Sequence, residues 1–257
     1  MTTPLTIELH ASSAETVTGS GTGVDVTKND AGTSGTYTRG AARLRLDVSA
    51  VSGTNPTLDV VVQTGPSSTG PWKQVGAFTR ATATTWEELP VAGLLDWVRV
   101  SWTIAGTDTP TFTFAVTGAA QIVYCSPADL RLPADSAATI SDATKAKHIL
   151  AATGKVAAAL NVANLLPLTS WGEDIRDAAA IIATVEMFDE VGWRPEADFD
   201  KRLLLRYHNV VGSIDQNEAG WLDKVATGRL LPVGLVDATP DTEEAGPVMY
   251  STAARGW

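Results

Sequence analysis

The chain has 257 residues, 44% of them apolar and 19% charged, which suits one large or two ordinary domains and excludes disorder throughout. Its formal net charge of −10 makes it a poor general binder of phosphate backbones or anionic membranes. A single cysteine, Cys125, excludes an intrachain disulfide framework, and no apolar run approaches the ~18 residues of a membrane-spanning helix.

The start, MTTPLTIELHASS, has no basic stretch ahead of an apolar core, so no secretory signal is expected. The segment ASSAETVTGSGTGVDVTKNDAGTSG holds weak strand signals with a long loop. Within it GSGTG is Gly-rich, but it lacks the lysine and the strand–loop–helix setting of a phosphate loop, and reads as a flexible loop.

From Ala42 the pattern has a period of two. In ARLRLDVSAV, Leu44, Leu46 and Val48 share one face and Arg43, Arg45 and Asp47 the other, the mark of a half-buried strand. The two arginines read as its solvated face. SGTNP reads as a turn, followed by the strand TLDVVVQTG and a Gly/Pro/Ser loop. WKQVGAFTR, WVRVSWTIAG and TFTFAVTGAA continue the series, with Val98, Val100 and Trp102 opposite Trp97, Arg99 and Ser101. Short strands with turns between them predict an antiparallel β-sandwich over residues 1–122. Trp72, Trp86, Trp97 and Trp102 fall in this half. Core packing accounts for most such rings; any left exposed are candidates to stack on a glycan.

Near residue 122 the composition shifts from Thr, Ser, Val and Gly to Ala, Leu, Asp and Ile, and the period becomes helical. Residues 123–232 are expected to form an all-α domain. Ser126 and Pro127 open a short helical turn. Ser141 caps a helix whose stripe is Ala143, Ala146, Ile149 and Leu150, with Gly154 a point of weakness. Pro167 closes that element, and Thr169 or Ser170 caps a helix running to Phe188. Its first turn holds Glu173 and Asp174, favoured by the free N–H groups there. Its apolar face is Ile175, Ala178, Ala179, Ile182 and Val185. After Pro195, Phe199, Leu203 and Tyr207 recur at four-residue spacing, with Leu204 beside them. A last helix is anchored by Trp221, Leu222 and Val225 and ended by Gly228. Residues 233–257 read as an extended C-terminal arm, and two readings stay open for its Val248, Met249, Tyr250 and Trp257: docking on a neighbouring subunit, or fraying in solution.

Little in the sequence points to chemistry. His10, His148 and His208 lie in unrelated contexts, and no zinc spacing occurs; His148 reads as a helix-surface residue. Cys125 has no activating motif and reads as a small buried apolar group. G-x-S-x-G, the P-loop and the EF-hand pattern are absent, and no carboxylate pair is identified for sugar hydrolysis. The chain is read as a non-enzyme, with no catalytic, cofactor or metal residues and no cofactor.

Three stretches carry a family resemblance: YCSPADL at 124–130, NLLPLTSWGEDIRDAAAIIATVEMF at 164–188, and RYHNVVGSIDQNEAGWLDKVATGRL at 206–230. Together they resemble the head-to-tail adaptors of tailed bacteriophages, in the Mu-like group related to the adaptors of lambdoid and HK97-like phages. The carrying residues are an early Tyr with a following Asp-Leu (Tyr124, Asp129, Leu130), a Leu-Pro-Leu turn before an alanine-rich helix, and a closing helix with Glu218, Ala219, Trp221, Leu222, Ala226 and Gly228. One departure stands out: Ala163 and Asn164 occupy the place of the family's usual Arg-Tyr pair, so docking contacts do not carry over there.

The resemblance implies a structural virion protein of the neck, made in the host cytoplasm. It would form a homo-oligomeric ring of twelve copies between the portal protein and a stopper, tail-terminator or other neck protein. Double-stranded DNA would pass through the ring without specific contacts, and an acidic lining would keep it mobile during ejection. The first half loosely resembles phage accessory β domains and would face outward or touch the capsid. Candidate packing and docking residues are Tyr124, Leu130, Pro167, Trp171, Ile175, Ile182, Tyr207, Trp221, Leu222, Tyr250 and Trp257. The competing reading is a glycan- or host-surface-binding accessory protein built on the tryptophans of the first half.

Overall fold

The computed structural model describes residues 4–29, 31–132, 139–166, 168–190, 198–212 and 219–237. Seven strands come first: β1 (Leu5–Glu15), β2 (Gly19–Ser20), β3 (Val24–Asp25), β4 (Ala41–Gly65), β5 (Lys73–Ala77), β6 (Thr85–Ala92) and β7 (Trp97–Gln121). After a 3₁₀ turn at Pro127–Asp129 come α1 (Asp142–Val162), β8 (Leu168–Ser170), α2 (Glu173–Glu190), α3 (Asp198–Val211), α4 (Trp221–Ala226) and β9 (Val236–Asp237). The chain is thus a β-sheet region followed by a helical region.

The seven strands form one open, antiparallel, hydrogen-bonded sheet, where two separate sheets were expected. The reason lies in two positions read as ends of strands. SGTNP does not close a hairpin. It is a kink inside β4, whose two arms both pair with β7, from Ala41↔Gln121 to Gly65↔Trp97. The opposite kink in β7 falls at Gly106–Pro110. Register shifts lie between Val48 and Thr57, and Gly53, Asn55, Gly106, Asp108 and Thr109 all have positive φ. Two bends facing each other let the ribbon turn without breaking its pairing.

The ribbon doubles back on itself. Trp102 and Phe114 lie twelve residues apart in β7, which would separate them by ~40 Å in a straight strand, yet their rings are 5.5 Å apart. One arm carries β6 and β1 at its edges, the other β5, β2 and β3. The expected alternation holds on both. Leu44, Leu46 and Val48 are buried, as are Val98, Val100 and Trp102, and all join a single core with Leu58, Val60, Phe112 and Phe114. Arg43, Arg45 and Asp47 face solvent.

GSGTG is not a flexible loop. It supplies β2 and leads into β3, both paired to β7. Gly19 lies against the Trp102 side chain, where a Cβ would approach Cζ2 to 2.8 Å. Small residues are needed there by close contact rather than by mobility.

In the helical region Ser141 caps α1 by accepting the Thr144 N–H at 3.1 Å. The helix runs unbroken through Gly154, which has open space beside it. It ends at Ala163–Asn164. Asn164 has φ +57, its N–H donates to the Asn161 carbonyl, and the Leu165 N–H reaches back to the Leu160 carbonyl. This is a Schellman stop with Asn in the left-handed position. The pair that departs from the family pattern therefore has a local job. α4 stops the same way at Gly228, with φ +68 and the Arg229 N–H donating to the Lys224 carbonyl.

α2 starts at Glu173, because Thr169 and Ser170 belong to β8 and not to a cap. Ile175, Ala178, Ala179, Ile182 and Val185 are buried as expected, but so are Ala180, Ile181, Ala183, Thr184, Met187 and Phe188. The helix is enclosed on nearly every side, by α1, α3 and the 3₁₀ turn among others. Burial of each large side chain contributes about 1.5–3 kcal/mol, and the alanines let neighbours approach closely.

The two regions touch directly. α1 packs on β6 and β5, Ala143 lies against the sheet core, and Ala41 of β4 belongs to the helical core. Residues 233–237, expected to begin a free arm, return to the helices instead. β9 pairs with β8, and the Asp174 carboxylate accepts the Val233 N–H at 2.9 Å. This gives one of the two first-turn acids a role that charge patterning did not reveal.

Candidate functional site

The stretch after β7 runs along the seam between sheet and helices and positions most of the early site residues. Tyr124 is buried, its N–H donates to Thr153 Oγ1 of α1 at 3.3 Å, and its ring meets Trp171 edge-on at 5.1 Å. The Trp171 indole N–H donates to the Tyr124 carbonyl at 3.1 Å. Two residues 47 positions apart are thereby joined by an edge-on ring contact and a side-chain-to-backbone hydrogen bond.

Beside them opens a cleft of about 360 Å³, walled in part by Gly40, Gly93, Tyr124, Cys125, Trp171 and Arg176. Among the described residues that line it, none form a nucleophile–base set. Burial pushes the Cys125 thiol up to about 12, with the Asp129 charge adding to the effect, so at neutral pH it is a thiol and not a nucleophile. Burial likewise pushes the Tyr124 hydroxyl up to about 12. Asp129 is occupied locally, accepting from the Ser126 N–H at 2.7 Å and the Ser126 hydroxyl at 2.8 Å. The Ser126–Pro127 opening is thus a closed local box.

The remaining candidates separate by role. Leu130, Ile175 and Ile182 are buried in the helical core of this same chain, where they pack internally. Tyr207, Trp221 and Leu222 are half-buried and pack on that core from its edge. Pro167, Tyr250 and Trp257 lie outside the described residues, as do Val248 and Met249. Exposed apolar side chains in the helical region are instead Val162, Leu205, Leu231 and Val233.

Two constellations had no sequence signal. On β1, Ser13 Oγ lies 3.2 Å from His10 Nε2 and donates to Glu15 Oε1 at 2.9 Å. Irregular register between Glu8 and Ser13 brings the three together. The imidazole is wedged between Trp102 and Phe114, at 4.6 and 4.3 Å. Burial holds its pKa below the ordinary value, against the opposing pull of Glu15 and Glu8. The set differs from a catalytic triad: Ser13 and Glu15 both approach Nε2, and among the described residues no carboxylate orients the ring through Nδ1. The second constellation corrects the reading of His148 as a surface residue. It is buried, with Nε2 2.9 Å from Glu190, which also receives Lys147 at 2.6 Å. These contacts, Lys147 first, hold the Glu190 carboxyl below its usual range.

Among the tryptophans, Trp102 is buried and donates to the Val17 carbonyl at 3.0 Å. Trp72 is covered by the Arg99 guanidinium at 4.3 Å. Trp86 is exposed, with Arg45 at 5.1 Å. Among the described residues no three His, Cys, Asp or Glu side chains converge as a metal group, and no helix is long and apolar enough to cross a membrane. Comparison with known protein families, with characterised proteins and with solved structures gave no match.

Proposed function

We propose that this chain is a structural virion protein, an adaptor subunit whose helical region joins a portal to the next neck or tail protein. The reading rests on the resemblance of residues 122–232. The observation that supports it best is the meeting of the resembling stretches: Trp171 donates to the Tyr124 carbonyl, and Leu130, Ile175 and Ile182 share one core against which Trp221 and Leu222 pack. These contacts make the three stretches parts of one packed unit. In this account the helical core is completed within each copy, and neighbours meet through the exposed Leu205, Leu231 and Val233. The folded-over sheet serves as a sandwich-like accessory domain facing outward or toward the capsid, and the residues beyond Asp237 serve as an arm.

Cross-linking of assembled particles tests the reading. Cross-links from α3 and the segment after α4 to portal protein and to other copies of this chain are expected. Cross-links confined to the outer capsid surface would refute it. The glycan-binding alternative is favoured by one observation, the exposed Trp86 with Arg45 beside it. Saturable sugar binding lost in Trp86→Ala would select it.

A further inference from the structure

A second cleft, of about 190 Å³, lies where the chain leaving the 3₁₀ turn meets α3. Its walls among the described residues are Arg131, Arg202, Leu203 and Arg206. We propose that this cleft binds a phosphoryl oxyanion.

Three observations carry the proposal. Arg202 and Arg206 stand one turn apart on α3, a spacing that puts their guanidinium groups on one face. Like charges in that arrangement repel, and the chain holds 29 acidic residues against 19 basic ones, yet neither arginine has a hydrogen bond or carboxylate partner among the described residues. The third observation is Arg131. One of its terminal nitrogens is held by both oxygens of Asp177 at 3.0 Å, while its Nε is buried and has no acceptor. A buried donor without an acceptor costs free energy that a ligand oxygen would recover. Leu203, buried against Val185 and Phe188 of α2, fixes the helix that carries the other two arginines.

The chemistry fits a tetrahedral anion. Planar guanidinium forks match phosphate oxygens with paired, charge-assisted hydrogen bonds. Arg202 and Arg206 supply positive charge, and Arg131, whose own charge is offset by Asp177, brings a third guanidinium to the wall with its Nε donor still unpaired. The group has two sources, free phosphate or the backbone of a nucleic acid, and the inference does not depend on the adaptor reading.

The test is calorimetric titration of the full chain with inorganic phosphate, at ionic strength held constant with sodium chloride. Saturable binding is expected, weakened about tenfold or more in Arg202→Gln/Arg206→Gln. Arg131→Lys should also weaken it, since it keeps the charge and removes the Nε donor. The two α3 positions are exposed, so the double variant should melt like the parent without phosphate. Heats equal to the chloride control, or binding unchanged in the double variant, would overturn the proposal. A parallel anisotropy titration with a short blunt DNA duplex assigns the source. Duplex binding that phosphate displaces and the double variant loses points to a nucleic-acid backbone. Phosphate binding without duplex binding points to a free phosphate or phosphomonoester.

Discussion

The two regions use opposite packing strategies. The sheet buries one face of a long ribbon by folding it over, so each strand keeps a wet side and a dry side. The helical region surrounds α2, so that helix has almost no wet side. Alternation is therefore strong in the first region, and amphipathic contrast is weak along the main element of the second. Local pattern reports burial well when an element is half exposed and poorly when it is enclosed.

Core truncation should separate the two regions most sharply. Phe114→Ala removes a ring with no exposure and should cost about 3–5 kcal/mol, and Ile182→Ala about 2–5 kcal/mol. The hydrophobic cores are distinct, so Ile182→Ala should speed amide exchange in α1 and α2 while the β4–β7 ribbon stays protected. Equal loss of protection in both regions would show that contact through α1, β6 and Ala41 fuses them into one cooperative unit.

A smaller effect tests the helix stops. Gly228→Ala places a Cβ at φ +68 with no steric neighbour, so the cost is conformational alone, about 1 kcal/mol in denaturant melts. A neutral result would mean that the end of α4 frays and the Schellman contacts carry little.

Acid should act on the sheet first. The folded-state pKa of His10 is held below the ordinary 6.5, so the unfolded chain binds the proton more readily. This contribution to stability is full above pH 6.5 and is lost as pH falls through the depressed folded value. His10→Phe should remove this part of the pH dependence, read from melting temperatures across that range. The weakest expected effect is Asp47→Asn. Its pair with Arg45 spans 3.2 Å between half-exposed side chains, so stability should change by only about 0–1 kcal/mol.

Much of the sheet was legible because period-two alternation at Leu44–Val48 and Val98–Trp102 states directly which side chains go inward. The fold-over was not. SGTNP and the Gly106–Pro110 stretch each look like the end of a strand, and only their pairing across the ribbon shows them to be two sides of one corner. In the helical region the caps at Ser141 and Gly228 were readable from local chemistry. Asn164 as a helix stop is signalled only weakly, since Asn tolerates the left-handed conformation but no glycine marks the position. The Tyr124–Trp171 junction depends on tertiary approach, as do the buried His148 and the Ser13–His10–Glu15 set. None of these leaves a spacing signature.

The proposed adaptor role requires a helical region that packs completely within each copy and meets its neighbours through its surface. Reconstruction of a particle containing this chain tests it most directly. Density for residues 122–232 is expected as a closed ring at the portal vertex, with α2 enclosed in every copy and the sheet region outward. Finding the chain away from that vertex, or finding α2 opened to contact a neighbouring copy, would contradict it.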